Sequence, residues 1–267
     1  MTPAHALRAL KGILKRELYR FLQQRGRLFS AIVRPLVWLL VFGTGFRSIL
    51  GVSLIEPYET YIPYPVYIIP GLVGMILLFN GMQSSLSMVY DREMGMMRLL
   101  MTAPLPRWYL LLGKMLSATI ISLLQAYVFL IVCFAFGYEI PAWGWLQVLP
   151  AMILVGFMLS AMGLLLSTTI AQMENFAAVM NFVIFPMFFL SSALYPLWRV
   201  LEGSEIMYYL ALVNPFSHAV ELIRFALYGR LDYLGLIVVV GSLVVFSTLG
   251  ILGYSPQKGM SHRAIAN

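Results

Sequence analysis

The chain has 267 residues, of which 61% are hydrophobic and only 11% charged, with a mean hydropathy of +0.85; soluble domains run at roughly 45–50% apolar and about 25% charged. That composition excludes an ordinary soluble domain, and the apolar stretches of about 20 residues or more match a hydrocarbon core roughly 30 Å thick. The net charge of +7 alternates with those stretches and forms no continuous basic stripe, which excludes nucleic acid as the partner and points to membrane topology instead. Cys133 is the only cysteine and lies in an apolar run, so an intrachain disulfide and a cysteine-rich metal cluster are also excluded.

Residues 1–27 lack the isolated short apolar core and small-residue cleavage site of a signal peptide. Leu7, Leu10, Leu14, Leu18, Phe21 and Leu22 share one helical face, with Arg8, Lys15, Arg16 and Arg20 elsewhere. This spacing predicts a basic amphipathic helix lying at the membrane surface. Six apolar segments follow, over about 28–50, 66–89, 108–136, 145–170, 176–195 and 233–254. They predict an all-α polytopic membrane protein with six transmembrane helices, a transmembrane domain over 28–254 and a cytoplasmic tail over 255–267. Thirteen of the eighteen Lys and Arg residues fall on the side shared by the N-terminus, which sets an N-in, C-in orientation in the inner membrane.

Charge is almost absent from the spans, against the buried carboxylates of proton-coupled carriers. Arg34 beside Pro35 is the main exception; about two turns from the inner end, it reads as a snorkelling anchor before a substrate contact. Asn80, Gln83, Gln125 and Asn181 read as helix-to-helix hydrogen-bonding groups that could also line a pathway. The loop 51–65 sets Pro57, Pro63 and Pro65 among Tyr58, Tyr61 and Tyr64, suited to an aromatic rim at the interface. In the fourth span Gly156, Ser160, Gly163 and Ser167 recur at steps of four, three and four, clearing one face for close packing. The spacing does not say whether the neighbour is the same chain or a second one.

Between the last two spans, 206–213 and 216–228 read as two short amphipathic helices on the outer side, with Asn214 as N-cap and Pro215 as first helical residue. His218 and Glu221 at i, i+3 make a weak two-ligand pair, short of the three or four a metal needs. Glu221 with Arg224, also i, i+3, reads as an ion pair at the outer interface. No metal site is expected.

The most informative loop follows the second span. Asp91 reads as the cap of a short helix, Glu93 suits its first turn, and Met94, Met97 and Met101 fall on one face before Pro104 and Pro106 stop it. A row of flexible thioethers facing the cytosol suits a groove on a partner protein; a helix lying flat on the membrane is the plainer alternative. Catalysis is not expected of this chain. Gly113-Lys114 is not part of a phosphate loop, no G-x-S-x-G elbow exists, and His5 and His262 are terminal. No cofactor is expected on the chain itself.

From Asp91 the chain resembles the ABC-2 family of ATP-binding-cassette exporter permeases. The resemblance rests on Asp91-Arg92-Glu93, Gly95, Leu99-Leu100 and the Ala103-Pro104-Leu105-Pro106 exit, then on the stretch 190–196 (LSSALYP) and on Asn214-Pro215-Phe216-Ser217-His218. It implies an N-terminal interfacial helix, six spans, a cytosolic coupling helix and external re-entrant helices before the last span. Asp91, Arg92, Glu93, Met94, Gly95, Met97, Arg98, Leu99, Leu100 and Met101 would then form the coupling helix received by an ATPase. The external gate would hold Asn214, Pro215, His218, Glu221 and Arg224. The resemblance further implies a permease homodimer with two ATPase subunits, which carry the ATP and Mg, driving efflux of an amphipathic or lipid-linked substrate. A membrane enzyme or assembly factor acting on lipids is the competing class; it would need polar residues clustered at one membrane depth.

Overall fold

The computed structural model describes residues 3–45, 56–58, 62–95, 106–170 and 172–254, and these are helical with short connections. The helices are α1 (Pro3–Gln23), α2 (Arg25–Gly45), α3 (Tyr64–Glu93), α4 (Arg107–Ala135), α5 (Gly144–Thr169), α6 (Met173–Phe189), α7 (Leu197–Gly203), α8 (Glu205–Val213), α9 (Pro215–Leu227) and α10 (Tyr233–Gly253). Among the described residues four helices, α3, α4, α5 and α10, are long and apolar enough to cross a membrane. The count is five if α8 and α9, bent by 73° at Asn214, form one broken span. The apolar stretches of α2 and α6 are shorter, Ile32–Gly43 and Met173–Phe189. In α2 the first turns carry arginines and leave a short apolar remainder. In α6 the helix stops at Phe189, before the turn over 190–196.

The axis of the bundle is α3. At 30 residues and 1.5 Å per residue it is about 45 Å long, so it outreaches the hydrocarbon. Its most apolar window is 89% buried, whereas that of α10 is 17% buried. The apolar surface of α3 is thus enclosed by protein, whereas most of that of α10 is left uncovered by this chain.

Small residues set the approach of the inner helices. A Cβ added at Gly156 would stand 2.8 Å from Thr119 Cγ2 of α4, and one at Gly163 would meet Ser85 and lie 3.0 Å from the Gly81 carbonyl of α3. Gly81 in turn faces the backbone of Leu159 and Ser160 at 3.0–3.1 Å. The small-residue face of α5 is thus filled by α3 and α4 of the same chain, backbone against backbone, as helix association without a hydrophobic driving force requires. Ser167, last of the four, turns its hydroxyl onto the Leu164 carbonyl of its own helix. At the far edge Gly250 of α10 lies against Leu164, where an added Cβ would stand 3.1 Å from the leucine Cγ.

The N-terminal helix is helical as its pattern predicts, but its faces are used differently. Phe21 is buried, and Leu10 and Ile13 fit against the bare Gly113 of α4, while Leu7 and Leu22 are exposed. Arg16 and Arg20, which the pattern assigns to the polar side, turn toward α3.

Candidate functional site

Tyr90 to Glu93 contain no helix breaker, so α3 runs through them. It stops only where Met94 caps it and Gly95 takes φ +72, the left-handed conformation that glycine adopts without a Cβ penalty and that commonly ends helices. Asp91, Arg92 and Glu93 therefore form the last turn of α3, not the head of a separate helix as the capping pattern predicts. Met94 beyond them is exposed. Met97, Arg98, Leu99, Leu100 and Met101 lie outside the described residues.

Asp91 is 2% exposed and is the centre of a hub. Lys114 of α4 places Nζ 2.6 Å from Oδ2, and Arg16 and Arg20 of α1 each approach the carboxylate to 3.2 Å. Arg16 and Arg20 can share one carboxylate because i and i+4 project from the same helical face. The Arg20 guanidinium also lies 5.4 Å from the Tyr90 ring centroid. One buried carboxylate thus fastens the surface helix α1 and the core helix α4 to the end of α3. An isolated buried carboxylate is costly, and three cationic donors are what make it tolerable here.

Arg92 points the other way. Its guanidinium donates to the Ser167 carbonyl at 3.0 Å and to that of Ile170, and it lies 6.0 Å from the Tyr254 ring at the end of α10. These are orphan carbonyls of the C-terminus of α5, where the helix dipole favours a cation. Two consecutive residues of opposite charge consequently tie α1, α4, α5 and α10 to the final turn of α3.

The opposite end of α3 has its own cluster, built around an arginine. Arg224 of α9 is 1% exposed. It pairs with Glu221, donates to the Ser192 carbonyl at 2.8 Å and lies 4.0 Å from the Tyr67 ring centroid. The expected Glu221–Arg224 pair forms, with the arginine buried and the glutamate only partly so. Tyr67 donates to the same Ser192 carbonyl and Tyr64 to that of Leu194. Tyr58 is buried with its ring 4.6 Å from that of Tyr228, so Tyr58 and Tyr64 are core residues and not the interfacial rim their proline-rich loop suggests. Burial pushes the Tyr228 phenol up to about 12, with Arg224 pulling against it, and raises Tyr58 likewise; both rings stay neutral near pH 7.

Asn214 caps α9 as expected, its Oδ1 accepting from the Phe216 amide at 3.0 Å before Pro215 opens the helix. Its Nδ2 also donates to the Met187 and Leu190 carbonyls at 2.7 and 2.6 Å. A single amide therefore closes the start of α9 and the end of α6. His218 bonds the Leu212 carbonyl of α8 at 2.8 Å, which fixes the 73° corner. Glu221 is engaged by Arg224.

The family description "ABC-2 type transporter" matches residues 8–228. The chain belongs to this family. It is 26% identical over 228 residues to "Putative transport permease ycf38" of Cyanophora paradoxa, covering 83% of this chain and 75% of that relative. It is 25% identical over 230 residues to the protein of the same name in Porphyra purpurea, covering 85% and 76%. The "Probable multidrug ABC transporter permease YbhR" of Escherichia coli (strain K12) is 29% identical over 171 residues, 62% of this chain and 45% of that relative. The family is that of a transport component and not of a catalytic enzyme.

In this ABC-2 permease, sequence reasoning selected Asp91, Arg92, Glu221 and Arg224 but not the groups that hold them. Lys114 was considered only as half of a failed phosphate-loop motif, and Arg16 and Arg20 only as surface charge. A retrievable signal did exist: Lys114 is a cation eight residues inside α4, seven residues past Arg107, where a lone charge calls for a partner.

Proposed function

We propose that this chain is the membrane-spanning subunit of an ABC exporter, with six spans, both termini in the cytoplasm of an inner-membrane cell face, and ATP hydrolysis supplied by separate ATPase subunits. On this reading α1 to α6 and α10 comprise the interfacial helix and the spans, the domain extends over 28–254, and two permease chains pair with two ATPases. The segment from Asp91 to Met101 docks on the ATPase, the α7–α9 region forms the outer gate, and the cargo is amphipathic or lipid-linked.

The observation that carries the reading is the hub at the end of α3. A segment that receives a push from a partner transmits it only if it is fastened to the elements that must move. Asp91 joins that segment to α1 and α4, and Arg92 joins it to α5 and α10. ATPase closure would then rock these helices as one body about the packed core. Family membership supports the same role, since relatives are named as transport permeases.

The test is copurification followed by turnover. Detergent-extracted chain should bring down an ATPase, and deletion of residues 95–100 should abolish substrate-stimulated ATP turnover in the complex while membrane insertion remains intact. Coupled turnover unchanged by the deletion, or no ATPase in any preparation, overturns the assignment.

A further inference from the structure

Midway along α3 there is a third polar group that neither end cluster absorbs. Arg34 of α2 takes part in none of the ion pairs among the described residues, although it sits about six residues from the exposed apolar Leu40. Its guanidinium lies over the Phe79 ring, 4.1 Å from the centroid. It opens on a shallow cleft between α2, α3 and α4, whose polar lining is Ser30, Asn80, Gln83 and Gln125. Asn80 and Gln125 are each 3% exposed. They hydrogen-bond through Asn80 Nδ2 and Gln125 Oε1, which leaves Gln125 Nε2 buried without a partner. An unpaired buried donor costs more than a bond is worth, and a cation at membrane depth is tolerated where an anion or water can reach it.

We propose that this cleft binds the phosphate-type anionic headgroup of an amphiphile, with the Arg34 guanidinium and the spare Gln125 amide as its donors. A guanidinium offers a planar fork that matches phosphate oxygens, and Phe79 holds that plane in place. Val37 and Val41, three and seven residues beyond Arg34 and therefore on its face of α2, are both exposed, and they give an acyl chain an apolar track leading away from the charge. Asn80 also lines a second cleft with Ser84, Ser87, Ser117, Arg20 and the carboxylate of Glu17. That the bound amphiphile is cargo rests on the exporter reading; that it binds does not.

The test uses purified full-length chain without an ATPase, in native mass spectrometry with dioctanoyl phosphatidylglycerol, dioctanoyl phosphatidylcholine and inorganic phosphate as probes. Wild type should hold the anionic lipid at least about tenfold more tightly than the zwitterionic one, the worth of one charge-assisted hydrogen bond. Arg34→Gln should erase the preference, Gln125→Leu should weaken it, Arg34→Lys should keep part of it, and Arg199→Gln at the exposed pair should leave it unchanged. Displacement by inorganic phosphate identifies a site for the phosphate group alone; lipid binding that phosphate does not displace identifies the whole amphiphile. Equal affinity for both lipids in wild type, or a preference that survives Arg34→Gln, overturns the proposal. Either result would leave the exporter reading standing, whereas failure to copurify an ATPase would remove that reading and leave the measured binding in place.

Discussion

The two ends of α3 are fastened by opposite arrangements of charge. At the C-terminal end a carboxylate is surrounded by three cations, two of which remain about one third and one quarter exposed, Arg16 at 34% and Arg20 at 27%. At the N-terminal end an arginine is enclosed by one carboxylate, a carbonyl and aromatic rings, and almost none of it reaches solvent. The first cluster has surplus positive charge and partners able to turn toward water or headgroups. The second is neutral as a pair, and its arginine has no such exit, although the Glu221 side chain keeps 23% of its surface exposed. On the proposed exporter reading, one end would yield under a push and the other stay closed, a division that suits a helix moved from one side.

The largest effect should follow from Arg224→Met. It leaves the part-buried Glu221 without its partner and removes a donor to Ser192, a loss of about 3 kcal/mol, the low end for breaking a buried pair; thermal unfolding in detergent should fall accordingly. Joint replacement of Glu221 and Arg224 by apolar residues should recover much of that loss. Asp91→Asn should cost less, about 1–3 kcal/mol, because Arg16 and Arg20 can resolvate and the asparagine Oδ1 can still accept from the buried Lys114 ammonium. Its larger consequence should appear in the complex, as ATP turnover that substrate no longer stimulates. A greater stability loss from Asp91→Asn than from Arg224→Met would break the contrast between the two ends. The smallest effect should come from Asn214→Ala, about 1–2 kcal/mol for a lost cap, read in the same unfolding assay. A loss near zero there would show that α6 and α9 are held without their shared amide.

Much of the architecture was legible in one dimension. Apolar runs located α2 to α6 and α10, and Asn214-Pro215 located the start of α9, because capping chemistry is local. The Glu221–Arg224 pair was legible for the same reason, as i, i+3 neighbours on one helix. The head of the coupling segment was not. Asp91 satisfies the pattern of an N-cap, and nothing local distinguishes it from a residue of a helix that simply continues to Gly95. The tyrosines of the loop over 51–65 misled similarly, since a ring suited to an interface is equally suited to a core with a carbonyl or another ring to meet.

The amino-acid order alone therefore determined what could enter the membrane, where α9 starts, and which residues could not be left as bare charges. It could not determine partners distant in sequence. Asp91 meets Arg16 across 75 residues and Lys114 across 23, and Arg224 meets Ser192 across 32. The small-residue face of α5 was equally open to a second protomer until the structure set Gly163 against Gly81 and Ser85 of the same chain. Periodicity specifies which face of a helix is sticky; only the packed bundle decides what that face touches, because the energy of a buried charge or a bare glycine belongs to the pair and not to either residue.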